Sequence, residues 1–115
     1  MKNLIITLFA LFIVSISFAQ EIKPKFEKEG GLVKATYFYE TGEVKQQGFF
    51  KEEKLHSKWI SYDKSGNKTT IAYYKNGQKT GTWLVLNDGK VKQIKYDLNK
   101  IIEVKSLKDT SLAVY

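Results

Sequence analysis

The stretch YYKNGQKTGTW, Tyr73 to Trp83, decides how this chain folds. It holds two adjacent aromatic residues, an Asn-Gly pair, a second glycine four residues on, and then a tryptophan. Taken alone it is a tight turn, but the rest of the chain shows it to be one copy of a repeat. Sliding the sequence by 24 residues sets Trp59 on Trp83, Ser57 on Gly81, Phe49 and Phe50 on Tyr73 and Tyr74, Gly42 on Gly66, and Phe38 on Tyr62. Further on, Gly66 and Gly89, like Tyr73 and Tyr96, are 23 apart. A period in this range marks a stacked architecture, in which each unit leaves an apolar face for its neighbour to cover.

Each copy reads as two β-rich runs around a Gly-containing turn. KWISY, DKSG and NKTTIAYYK form one, and TWLVL, NDG and KVKQIKYD form the next. β-Branched and aromatic residues bounded by Asn, Asp, Ser and Gly are hairpin signals. No 3.6-residue apolar period follows residue 20. The expected fold is all-β, an antiparallel meander of about three stacked β-hairpin repeats.

Loop length sets the register, and register sets the faces. A four-residue loop at Asp63 to Gly66 puts Tyr62 opposite Asn67, Ile60 opposite Thr69 and Lys58 opposite Ile71. A three-residue loop at Asn87 to Gly89 puts Leu86 opposite Lys90, Leu84 opposite Lys92 and Thr82 opposite Ile94. One face then collects Phe38, Phe49, Ile60, Tyr62, Ile71, Tyr73, Leu84, Leu86, Ile94 and Tyr96, the expected core, with Lys92 at its rim. The other face receives Tyr37, Phe50, Trp59, Tyr74 and Trp83 among Thr, Gln and Lys. With Lys58 and Lys75 beside them, these rings are the candidate partner-binding face. The structural alternative is that they support one another as cross-strand pairs, or lie under the N-terminal segment or the C-terminal SLAVY.

The N-terminus reads differently. Lys2 precedes an apolar run from Leu4 to Val14, and Ser17 and Ala19 supply a small-x-small cleavage site. This is the pattern of a secretory signal peptide, too short to span a bilayer. Cleavage after Ala19 leaves 115 − 19 = 96 residues, enough for one domain with a periplasmic or secreted address and no integral membrane span. With no cysteine, neither a disulfide framework nor an acylated thiol is available. Every basic residue is lysine; loss of Lys2 leaves 19 − 1 = 18 against 12 acidic residues, a net charge of +6. Without arginine's bidentate fork, specific phosphate or nucleic-acid readout is disfavoured. The surface suits a protein or an anionic envelope component such as acidic lipid or polysaccharide.

Catalytic groupings do not assemble. His56 is the single histidine, and only Glu52 and Glu53 stand near it, short of a zinc ligand set. His56 and Ser57 are adjacent, so on a strand they point to opposite faces and cannot readily share a proton. NGQKTG has the glycines of a phosphate loop but is followed by a strand rather than a helix. The expectation is a non-catalytic protein with no cofactor and no metal.

The repeat resembles the MORN type, in the variant seen in the YwqK-family antitoxin-like proteins, whose units run roughly Tyr-x-x-x-Gly, a strand, then Tyr-x-x-Gly-x-x-x-Gly-x-Trp. The matching positions are the Tyr39 region to Gly42, Tyr62 to Gly66, Tyr74 to Gly77, Gly81 and Trp83, within residues 33 to 100. The preceding copy departs at Glu52-Glu53 and Ser57, and the following one at Asn99-Lys100, as degenerate outer units do. The resemblance implies a binding or scaffolding module, antitoxin-like by family label only, to which no toxin-binding residues map. The division expected is 1–19 signal peptide, 20–32 linker or edge segment, 33–107 repeat domain and 108–115 tail or capping strand.

Overall fold

A computed structural model describes residues 22–115; the expected signal peptide lies outside the described residues. The described chain is all-β. Its strands are β1 (Lys25–Glu29), β2 (Leu32–Phe38), β3 (Val44–Lys51), β4 (Lys54–Tyr62), β5 (Lys68–Lys75), β6 (Gln78–Lys79), β7 (Gly81–Asn87), β8 (Lys90–Asp97) and β9 (Lys100–Ser106). They form one antiparallel sheet in the order β1-β2-β3-β4-β5-β7-β8-β9, with β6 pairing β5 as the first part of β7's course. Each strand therefore lies beside its sequence neighbour, and the sheet is an open meander. Among the described residues no helix is long and apolar enough to cross a membrane.

The turns explain the meander. Two-residue connections at Glu52-Glu53, Asn76-Gly77, Asp88-Gly89 and Leu98-Asn99 have both residues at positive φ. That conformation matches the right-handed twist of the flanking strands. Between repeats the chain uses a longer loop, in which the Tyr39 N–H donates to the Glu43 carbonyl and the Asp63 N–H to the Asn67 carbonyl, both at 2.8 Å. In the second loop the Asp63 carboxylate also accepts the Ser65 and Asn67 N–H groups at 3.0 and 2.9 Å.

The 24-residue period is structural down to its irregularities. In the β3–β4 hairpin, Lys51 faces Lys54 but Gln47 faces Ile60, so the register slips by two. The next hairpin repeats this, with Lys75 opposite Gln78 and Ile71 opposite Leu84. At the slip the chain passes through positive φ, at Ser57 (63°) and at Gly81 (68°). Two residues on stands the tryptophan. Its indole N–H reaches back to a carbonyl ten residues earlier, Trp59 to Phe49 at 2.9 Å and Trp83 to Tyr73 at 3.0 Å. Bulges of this kind bend a strand and re-aim its side chains.

Both faces of the sheet carry an apolar cluster, which corrects the single-core expectation. One cluster is Ala35, Trp59, Ala72 and Trp83, with Tyr37, Phe50, Leu55, Tyr74, Ile94 and Tyr96 against it. The other is Ile71, Leu84, Val91 and Leu112, with Tyr73, Leu86 and Leu107. The expected set Phe49, Ile60, Ile71, Tyr73, Leu84 and Leu86 does share the second face. Ile94 and Tyr96 do not, for Ile94 stands opposite Trp83 and Tyr96 opposite Gly81. Asn87 pairs with Lys90, so the loop is two residues, Asp88-Gly89, and every residue of β8 is turned over relative to the three-residue reading. Lys92 moves with them, opposite Val85 on the tryptophan face. The first loop differs as well: Ile60 faces Ile71 rather than Thr69, and Tyr62 faces Lys68 after a bulge. Beyond the bulge the slip is two residues, so the faces of Ile60 and Ile71 survive it; at Tyr62, beside the loop, it is one.

The segment after β9 supplies the cover for the second face. The Leu107 N–H donates to the Val91 carbonyl at 2.8 Å, and the Val91 N–H to the Asp109 carbonyl at 3.2 Å. The chain then lays Leu112, 1% exposed, among Ile71, Leu84 and Val91. SLAVY thus covers this face and leaves the tryptophan face open.

Candidate functional site

The tryptophan face is built from two nests of rings, one per repeat. In the first, Trp59 is 3% exposed and its indole lies directly over Gly48, where a Cβ would fall 2.0 Å from Trp59 Cδ2. Phe50 meets it edge-on with ring centroids 5.1 Å apart, Tyr37 stacks at 6.4 Å, and Phe26 of β1 meets Tyr37 edge-on at 6.2 Å. These are the separations at which ring quadrupoles attract. In the second nest Trp83 is 8% exposed, with Tyr74 at 5.3 Å and Tyr96 at 5.0 Å. The Lys79 ammonium lies 5.1 Å above the Trp83 ring and 5.2 Å from that of Tyr96, a double cation–π contact. Burial first, and then the neighbouring Tyr96 phenol, pushes the Tyr74 phenol above its ordinary value.

All five ring residues singled out in the sequence, Tyr37, Phe50, Trp59, Tyr74 and Trp83, therefore share this face. The two tryptophans are its floor, with indole N–H groups satisfied inside the sheet, Trp83 also donating to the Thr80 carbonyl at 3.2 Å. What reaches solvent are the half-buried edges of Tyr37, Phe50, Tyr74 and Tyr96. A depression of about 340 Å³ lies among Phe26, Val33, Tyr37, Phe50 and Glu53.

The structure separates Lys58 from the rings. Lys58 stands opposite Tyr73 on the second face and lines a cavity of about 560 Å³ with Ile71, Tyr73, Thr82, Leu84, Gln93 and Tyr115. Lys75, two residues beyond Tyr73 on the same strand, is likewise on the second face and lies exposed beside the Asn76-Gly77 turn. The lysine that meets the rings of the tryptophan face is instead Lys79. Sequence reasoning missed Lys79, Phe26 and Tyr96. The Asp-Gly dipeptide at 88–89 was the available signal for Tyr96, since it fixes a two-residue turn.

His56 has a structural occupation, because its Nδ1 accepts the Asn76 N–H at 3.2 Å and ties one hairpin turn to the strand beside it. Asn99 does the same one repeat later, its side-chain oxygen accepting the Lys79 N–H at 2.8 Å. Among the described residues no three His, Cys, Asp or Glu side chains gather in a way that could hold a metal ion. No family model, no curated protein and no solved structure matches this chain.

Proposed function

We propose that this chain is an exported, non-catalytic module of the MORN type, which binds a protein or envelope partner on its tryptophan face. The observation that supports the reading is a run of half-buried tyrosine and phenylalanine edges held in line on one sheet face, each backed by a rigid buried indole. Rigid aromatic surface costs little side-chain entropy on binding, which is why such rings serve as anchors. The partner's contacts fall on Tyr37, Phe50, Tyr74 and Tyr96, with Lys79 offering a cation to an acidic group. The test is the double variant Tyr37→Ser and Tyr74→Ser against the opposite-face variant Lys58→Ala. Capture of a defined partner from the native envelope fraction is expected to disappear in the first and persist in the second, with circular dichroism unchanged in both. Equal capture by all three proteins defeats the reading.

A second reading, electrostatic adhesion to anionic lipid or polysaccharide, is favoured by a separate observation. The described residues hold three ion pairs, engaging only Lys25, Lys95 and Lys105 among the lysines, so most lysine ammonium groups stand outside close ion pairs and the chain's positive excess is open to an anionic surface. Sedimentation with phosphatidylglycerol vesicles separates the two readings. Adhesion of this kind is expected to vanish between about 0.05 and 0.5 M salt, as screening shortens the reach of surface charge, and to be indifferent to the tyrosine substitutions.

A further inference from the structure

The two edges of the sheet are unlike. β1 presents Lys25, Glu27, Lys28 and Glu29 around one ring, Phe26, the charged composition that keeps an edge from pairing. β9 presents Ile101, Ile102 and Val104, which are 55%, 64% and 56% exposed. Among the described residues no strand pairs with the outer side of β9, so its backbone groups on that side face solvent next to apolar side chains. The inner side pairs with β8 from Lys92 opposite Ser106 to Asp97 opposite Lys100, with one bulge, at Ile102, which has no direct partner; from Glu103 to Ser106 the strand is regular.

We propose that two copies of this chain join edge to edge along β9, antiparallel about a two-fold axis through Val104, to make one continuous sheet. A two-fold axis normal to the sheet keeps each face continuous, so every cross-pair must join residues of the same face. Only registers centred on a residue satisfy this. Centring on Glu103 sets carboxylate against carboxylate, and centring on Ile102 sets Glu103 against the partner's Ile101. Centring on Val104 sets Glu103 against the partner's Lys105 twice over and Val104 against the partner's Val104, all within the regular part of the strand, and brings the bulged Ile102 towards the partner's Ser106. Within one chain Glu103 already lies 3.3 Å from Lys105 and 3.7 Å from Lys95, so the joined edge carries a row of alternating charge on one face and an apolar row on the other. Cross-strand pairs of opposite charge and of β-branched residues are those that stabilise an antiparallel ladder. Val104 lies on the same face as Ile94 and the tryptophans, so the joined sheet would carry four aromatic nests in line.

Sequence makes the register directly testable, because the chain has no cysteine. Opposed residues of an antiparallel pair have Cα atoms about 4.5 to 5.5 Å apart, within disulfide reach. Val104→Cys is therefore expected to oxidise to a covalent dimer, while Ile102→Cys and Ser106→Cys, each displaced from its own copy across the axis, stay monomeric under the same oxidant. Sedimentation equilibrium of the unmodified protein is expected to show a monomer–dimer equilibrium somewhere between about 1 µM and 1 mM. Glu103→Lys, at an exposed site where folding is readily checked by circular dichroism, is expected to weaken association about tenfold, and adding Lys105→Glu should restore it. A monomer at every concentration, as expected if the edge instead takes a strand from a different protein, overturns the proposal. So does a dimer that crosslinks equally well at Ile102 and Val104, or one indifferent to Glu103→Lys.

Discussion

Trp59 and Gly48 show how tightly the repeat is specified at single positions. The indole can lie flat on the neighbouring strand, and donate to the Phe49 carbonyl, only because position 48 has no Cβ. Gly48 does not have a positive φ, so the requirement is for space rather than conformation. One period later the same place is Ala72, buried in the same cluster, where a methyl is accommodated. Gly48→Ala is therefore expected to lower stability by about 3 kcal/mol, the cost of forcing atoms into a filled core, while Ala72→Gly costs about 1 kcal/mol through lost strand propensity and packing. Urea titration of the two variants checks the asymmetry. A second expectation concerns alkali. The folded-state value of the Tyr74 phenol is raised above its ordinary 10.0 by burial and then by Tyr96. The neutral phenol's contribution is thus complete below pH 10 and is lost as pH rises through the folded value, since the unfolded chain ionises first. Tyr74→Phe should leave the stability difference from the parent flat between pH 7 and 9 and shift it in the variant's favour above pH 10.

Hairpin turns are where the two central repeats differ most. Asn76-Gly77 has the residues that a doubly left-handed turn prefers, at φ 49° and 85°, whereas its counterpart one period earlier puts two glutamates at φ 49° and 66°. Side chains with a Cβ are strained there by about 1 kcal/mol or more each. Replacing Glu52 by Asn and Glu53 by Gly should raise stability by about 1 to 2 kcal/mol without altering the sheet, measured as an increase in the denaturation midpoint at unchanged slope. Turn chemistry also accounts for what could be read without coordinates. Strand positions and the antiparallel meander were legible because Gly, Asn and Asp punctuate β-branched runs at a fixed interval. The five rings of the tryptophan face were legible as a set because their spacing keeps one parity. The face of β8 was not, because it depended on whether Asn87 belongs to the loop or the strand, and one residue turns over Ile94 and Tyr96. The slips at Ser57 and Gly81 were hidden for another reason: they shift the ladder by two, leave the alternation intact, and so write no mark in the apolar pattern.

A single sheet must stabilise two apolar faces without a second layer behind either, and this molecule does so by different means on each side. On the tryptophan face large rings cover one another and the neighbouring strand, so the cluster is built wholly from strands. On the other face Ile71, Leu84 and Val91 are too small to close over themselves, and the cover comes from Leu112, carried in by the segment after β9. That segment is held to β8 by few links, the paired hydrogen bonds around Val91; further out the Tyr115 hydroxyl donates to Asp109 within the segment at 2.6 Å, and Lys68 of β5 donates to the Tyr115 backbone oxygen at 2.6 Å. The second pair is exposed and adds little, so burial of Leu112 carries the attachment. Leu112→Ala should consequently cost about 2 to 3 kcal/mol and do so locally. Hydrogen exchange is the discriminating measurement: the Val91 amide, whose acceptor is the Asp109 carbonyl, should exchange much faster in the variant, while amides of β4 and β5 beneath the tryptophans keep their order of protection. If protection instead falls evenly across β2 to β8, the two faces form one cooperative unit, and the covering segment is part of the fold's core rather than a strap laid on a sheet that stands without it.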